Sequence, residues 1–391
     1  MRSPGREYQT GLPVPGAFPA LPAGNAVPYQ DSKETAEMRM DRSARVRRKL
    51  TPSYLAVASI SIWTGVVQAQ PAPSAPSAPI QLYGLVGTYI AESKVSGVPR
   101  GSVVLGGGGL MTSFWGLRAK EDLGGGYAAV FVLESFFRPN TGQLGRNATD
   151  GLFSRNAYLG FTSPYGIFRL GEQTTHTYLN QILLNPFGSS VVFSPLVVQS
   201  YTAAYNNTVV GDTVWDNVAS YESASYRGLT GTVQYGVSGA SGHQGKDNLG
   251  LHLNYENGPL QVALSAQRVR MAVNLPNVQQ YLYLAGATYN ANFAKFYAAM
   301  QTTNTTTTEV GSHTYELGLS IPATPTAAVL VEWARTTQSA PKEKDSIRNT
   351  ASVGYDYYLS KRTDVYAVYS YDKLSGKPSG STYGVGMRHT F

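Results

Sequence analysis

The chain contains no cysteine, only five histidines and no long apolar run. Without cysteine there is neither a disulfide framework nor thiolate chemistry. The histidines stand at 176, 243, 252, 313 and 389, too scattered for a zinc site or a Ser-His dyad, and no HExxH, GxSxG or P-loop pattern occurs. No catalytic residue, metal or cofactor is therefore expected. Nothing approaches the roughly 18 continuous apolar residues of a helical membrane span. A glycine run at 106–109 follows Leu105 but opens no helix, so it reads as a loop rather than a phosphate cradle.

Charge of one sign is also scarce in the body of the chain. The formal charge is +7, but residues 1–69 carry nine Lys/Arg against five Asp/Glu, leaving 22 basic and 19 acidic residues after them. No basic stripe remains to engage nucleic acid.

What is present is glycine and tyrosine, 41 and 27 residues, with a mean hydropathy of −0.19. That value fits a transmembrane β-barrel, whose strands face lipid with only every second residue and so average to near neutrality.

The stretch from Met38 to Ala69 opens with Arg39, Arg42, Arg45, Arg47, Arg48 and Lys49. It continues through an apolar core over about 54–67 and closes on Val67-Gln68-Ala69. Basic, apolar and small-x-small parts in that order make a signal peptide cleaved near Ala69. Residues 1–37 then read as a non-native upstream extension and 70–79 as a Pro-rich lead-in.

From Ile80 to Phe391 the pattern changes to period-2 segments of about ten residues separated by turn chemistry. Segments begin near 80, 111, 126, 153, 166, 214, 228, 247, 259, 279, 292, 308, 323, 347, 361 and 382. An even count lets the first and last strands close the sheet, and sixteen is large enough to enclose a water-filled channel. Tight links such as "EDLGGGY", "SPYG" and "ENGPL" alternate with long polar ones such as "SGASGHQGKDN", "TTNTTTTEV" and "TTQSAPKEKDS". A soluble sandwich would not require that alternation. The expected fold is all-β, a 16-stranded antiparallel transmembrane barrel. Tyrosines near strand ends suit the boundary between water and the apolar layer.

The blocks "IQLYGLV", "SFWGLRAKEDLGGGYAAVFVLES", "FSRNAYLGFTSPYGIFRLGEQ", "YENGPL", "YYLSKRTDVYAVYSY" and "GVGMRHTF" occur in order from Ile80 to the terminus. In these the chain resembles the general porins of Gram-negative bacteria of the Burkholderia, Bordetella and Neisseria type. The resemblance implies an outer-membrane protein, usually a homotrimer, that passes small hydrophilic solutes and ions by diffusion. It also implies a third external loop folded into the pore. That loop corresponds to about 174–212, with His176 near its start and Asn185, Pro186, Phe187 and Gly188 resembling its tip. The terminal Phe391 resembles the sorting signal read by the outer-membrane assembly machinery.

Alternation assigns the pore lining. Phe114, Arg118, Lys120, Glu134, Arg169, Gln173, Asp216, Ser220, Glu222 and Arg388 fall on the lumen parity, while Trp115, Phe131, Leu133, Phe168, Leu170 and Tyr221 fall on the lipid parity. Lys120 lies by a tight turn and suits the rim. Arg155 shares the lipid parity, which points to the outer rim unless the strand bulges. Many relatives carry Arg at the positions of Phe114 and Glu172 and Lys at that of Ser220, so a basic cluster is thinned here. The expected selectivity is a weak anion preference or near neutrality. The alternative is a substrate-specific channel with a solute-binding lumen.

Overall fold

The computed structural model describes residues 80–237, 247–272, 275–306 and 308–391. The upstream extension, signal peptide and lead-in expected over 1–79, and most of the "SGASGHQGKDN" segment, lie outside the described residues.

The strands in chain order are β1 (Gln81–Ser93), β2 (Ser102–Gly107), β3 (Phe114–Gly124), β4 (Tyr127–Arg138), β5 (Gln143–Leu144) and β6 (Asn156–Ser163). Next come β7 (Gly166–Thr174), β8 (Val214–Ser223), β9 (Leu229–Gly236), β10 (Asn248–Asn257), β11 (Leu260–Ala272) and β12 (Leu275–Asn290). The last six are β13 (Lys295–Thr305), β14 (Val310–Thr324), β15 (Ala327–Ser339), β16 (Ser346–Tyr358), β17 (Thr363–Leu374) and β18 (Gly380–Thr390).

These eighteen segments make sixteen staves. β2 and β3 share one stave, because β2 pairs with Thr88–Ser93 of β1 and β3 pairs with Gln81–Leu85 of the same strand. β5 adds only a two-residue pairing at the end of β4. All pairings are antiparallel, and β18 returns to β1 from Leu85↔Thr390 to Ser93↔Thr382, which closes the sheet. The seam extends one residue further: Gly84 and Phe391 exchange backbone hydrogen bonds of 3.1 and 3.0 Å. Closure leaves no edge to be satisfied by water, as a spanning sheet requires.

Apart from the second stave, the strands begin within four residues of where alternation placed them. That stave starts at Ser102 rather than near 111 and breaks at 108–113. The long link "TTNTTTTEV" is mostly strand, since β13 runs to Thr305 and β14 resumes at Val310. Its β-branched threonines extend the ladder where polarity alone suggested a loop. Loop lengths therefore alternate less strictly than expected. At the opposite rim the turn after β3 uses three consecutive glycines, Gly124, Gly125 and Gly126, all at positive φ (80°, 62° and 83°), a conformation that other residues adopt only with strain.

Burial is inverted relative to a water-soluble protein. One parity exposes Leu159, Phe161, Phe168, Leu170, Leu251, Leu253, Leu317, Val385 and Met387. The other buries Gln234, His252, Ser265, Gln301, Thr314, Ser352 and Ser370. An apolar outside around a polar inside is stable only where lipid is the outer solvent.

Candidate functional site

The lumen holds the segment between β7 and β8. Expected as plain loop, it contains α1 (His176–Leu183), α2 (Pro195–Tyr201) and a short 3-10 turn at Ala203–Tyr205. Both helices start on side-chain caps: Thr175 accepts from the Tyr178 N–H and Ser194 from the Val197 N–H, each at 3.3 Å, with Pro195 opening α2. The "TTHTY" and "FSPL" signals could have revealed them.

The loop is fastened to the inward faces of the far wall. Asn180 donates to Ser265 (2.9 Å) and Gln199 donates to Thr350 (2.8 Å) and to the Ala334 carbonyl (3.0 Å). Gln181 also donates to Gln301. Glu332, fully buried on β15, accepts from the Ser194 hydroxyl (3.0 Å) and the Leu196 N–H (2.8 Å). Apolar contacts reinforce these bonds: Tyr178, Ile182, Leu184, Val197 and Tyr201 pack on Ala263, Leu282, Leu284 and Ala299.

At the tip, the Asn185 amide donates to the carbonyls of Gln181 and Gly188, each at 2.8 Å. Pro186 lies over Gly318, and Phe187 over Gly354, where a Cβ would stand only 2.9 Å from its ring. Gly188 has φ +58° and turns the tip back.

The break in the second stave faces this tip. Irregular backbone at bilayer depth is tolerable only when buried in protein or lining a cavity. Here its polar groups are met from inside. Gly108 N–H donates to Gly87 O (2.7 Å), the Tyr366 hydroxyl donates to Gly108 O (3.1 Å), and the Ser190 hydroxyl donates to Gly109 O (2.7 Å). Leu110 packs with Phe187 and Phe193 of the loop. The glycine run set aside as an ordinary loop is the seat of the loop tip.

The residues assigned to the pore separate into distinct settings. Arg169 and Glu222 form an ion pair at 3.0 Å, with His176 Nε2 at 3.4 Å from the same carboxylate. Gln173 and Ser220 are buried and bonded to each other at 2.6 Å. Arg388 holds Asp364 (2.9 Å) and Asp356 (3.3 Å). Glu134 is not an open lumen charge: it is buried against Arg155, Asn156 and the Tyr83 hydroxyl. Arg155 turns inward and is buried, its guanidinium 4.1 Å from the Phe114 ring centroid. It lies just ahead of β6, outside the regular alternation that pointed it to the rim.

Arg118 is exposed near the opposite rim from the loop, bonded to Gln81 (3.0 Å) and set 4.6 Å from the Tyr83 ring centroid; Lys120 is exposed beside the glycine turn. Asp216 is displaced. β8 bulges at Asn217 (φ +54°), so Trp215 and Val218 take the buried side and Asp216 is exposed. One extra residue reverses every assignment beyond it.

The loop's end is clamped by Arg146, a residue that alternation could not single out. Its guanidinium binds Asp150 and Asp212, each with a closest approach of 2.7 Å. Burial alone would raise the Asp212 carboxyl, but hydrogen bonds and the field of Arg146 outweigh it and hold the group below its ordinary value. A lowered folded value means that this stabilisation is complete above the ordinary carboxylate range and is lost only as pH falls through the lowered one. We expect protease sensitivity of the loop in detergent to stay flat from neutral to mildly acidic pH. Arg146→Ala leaves Asp150 buried without its cation, a loss of about 3–5 kcal/mol, and should make the loop protease-sensitive at every pH. An unchanged digestion pattern would contradict the clamp.

A closed sixteen-stave barrel with an apolar exterior and a loop folded into a polar interior defines a transmembrane channel protein of the outer membrane. The Gram-negative porin family profile matches residues 55–377, and the chain belongs to that family. It is 28% identical over 400 residues to an outer membrane porin protein of Bordetella pertussis, covering 87% of this chain and 99% of that one. It is 27% identical to outer membrane porin protein 32 of Delftia acidovorans, over 73% of this chain and 82% of the relative. Among solved structures it resembles an anion-selective porin from Comamonas acidovorans, with TM-score 0.68 and 25% identity over 80% of this chain and all of the other. The protein is thus an outer-membrane porin.

Proposed function

We propose that the protein is a passive diffusion channel for small hydrophilic solutes and ions, with near-neutral selectivity, assembled as a homotrimer by the outer-membrane assembly machinery. The observation that carries the selectivity is charge pairing. Arg155, Arg169, Arg348 and Arg388 each face a carboxylate, at 3.3 Å or closer. A paired cation contributes little net field to a passing anion. The anion selectivity in the name of the Comamonas porin belongs to that protein; here the pairing favours the neutral reading over an anion preference.

Reversal potentials in a salt gradient across a planar bilayer test this. The expected potassium-to-chloride permeability ratio lies within about threefold of unity, since fixed charge at the narrowest point sets selectivity. A strong preference for either ion would overturn it. A cavity of about 330 Å³ beneath the loop tip, lined in part by Lys295, Tyr297, Asp356, Tyr358 and Arg388, supports a second reading in which one solute class binds in transit. Conductance that saturates with that solute would favour it, and linear conductance would exclude it.

A further inference from the structure

The outward face of β15–β17 carries a feature that diffusion through the lumen does not use. Two rows of directly paired residues lie there, both on the lipid-facing parity. The lower row is Trp333, Ala351 and Tyr371; the upper row, two residues nearer the long-loop rim, is Arg335, Asn349 and Lys373. Ala351 is small between two large aromatic rings. The trough it leaves forms a surface cavity of about 400 Å³, bounded by Trp333, Tyr371, Asn349 and Lys373.

Above that trough the chemistry changes from apolar to cationic. Arg335 is exposed, and among the described residues neither it nor Lys373 has a carboxylate within 4.0 Å. Lys373 donates to the Lys377 carbonyl, which orients the ammonium without neutralising it. By contrast, Arg270, on the outward parity of β11, is matched by Asp247 at 3.1 Å. Strand spacing sets the Arg335 and Lys373 backbones about 10 Å apart, so both side chains can converge over Asn349. Cations on a lipid-facing wall are expensive at mid-depth and tolerable at the headgroup level, and the aromatic row directly below marks that level.

We propose that this face is a binding site for a phosphate-bearing lipid of the outer leaflet. Its phosphate would be held by Arg335 and Lys373 with the Asn349 amide, and an acyl chain would lie in the trough over Ala351. Arginine and lysine on either side of an anion supply charge-assisted donors that a zwitterionic or neutral headgroup cannot use equally well.

The test compares folded wild-type protein with R335Q/K373Q and with K342Q/K344Q, a control in the loop above. Each is incubated in detergent with diphosphorylated lipid A, with the same lipid stripped of phosphate, or with inorganic phosphate. Lipid retained through size-exclusion chromatography is measured by mass spectrometry. Wild type and the loop control should retain the phosphorylated lipid about tenfold or more over the stripped one, and R335Q/K373Q should lose that preference. Equal retention of both lipids by wild type, or a preserved preference in R335Q/K373Q, would overturn the proposal. So would an equal loss in the loop control, which would indicate unspecific surface charge. Displacement of the lipid by millimolar inorganic phosphate would assign the site to free anion instead. All substituted residues lie outside the lumen, so bilayer conductance should be unchanged. A conducting protein without lipid preference refutes only this inference and leaves the channel intact.

Discussion

We expect removal of Phe391 to lower the yield of membrane-inserted protein several-fold, while channels that do form keep their unit conductance. Two observations carry this. Phe391 completes the seam, exchanging two backbone hydrogen bonds with Gly84. Its ring also occupies the space that Gly84 leaves empty: a Cβ there would stand 2.6 Å from the ring and 2.5 Å from the Phe114 carbonyl oxygen. Gly84→Leu should therefore evict the ring and reproduce much of the deletion. Outer-membrane fractionation and heat-modifiable migration on detergent gels measure the yield, and planar-bilayer recording measures conductance. Normal insertion of both variants would remove any assembly role for the terminus. A defect in the deletion alone would separate recognition of Phe391 by the assembly machinery from packing at the seam.

The second large effect concerns the seat of the loop between β7 and β8. Gly109 has φ +94°, and a Cβ on it would lie 1.8 Å from the Tyr366 hydroxyl, the group that caps Gly108 O. Gly109→Val should combine backbone strain with a steric clash, together more than about 1–3 kcal/mol, at the point where Ser190 and Leu110 hold the loop tip. The expected result is a noisy channel that visits a conductance above the wild-type level, with a lowered unfolding temperature. Ser190→Ala, which removes only the hydroxyl bonded to Gly109 O, should give the same noise in milder form. Quiet, wild-type currents from Gly109→Val would show that the break does not anchor the tip.

Both predictions concern places where the sequence was legible to different degrees. The seam was readable, because the alternation of Tyr383, Val385 and Met387 against Gly384, Gly386 and Arg388 fixes which side each strand presents, and closure follows from an even count. The seat was not. The glycine run signals a loop, but its backbone turns inward because Tyr366 and Ser190 meet it there, and these residues lie 258 and 81 positions from their partners. The same limit applies to Asp216 and Arg155. Alternation carries an assignment only until the first irregular residue, and neither the bulge at Asn217 nor the lead into β6 has a strong local signal.

Local periodicity, determined by the sequence itself, therefore yields the sixteen staves and most of the lipid and lumen faces. These follow from the two-residue repeat of the backbone and the partition of side chains between lipid and water. Only the tertiary structure decided which lumen charges remain available. Whether Glu134 or Arg169 acts on a passing ion depends on a partner brought to its side by the neighbouring strand, Arg155 in one case and Glu222 in the other. Coulomb interaction depends on separation in space, and no one-dimensional pattern encodes that distance.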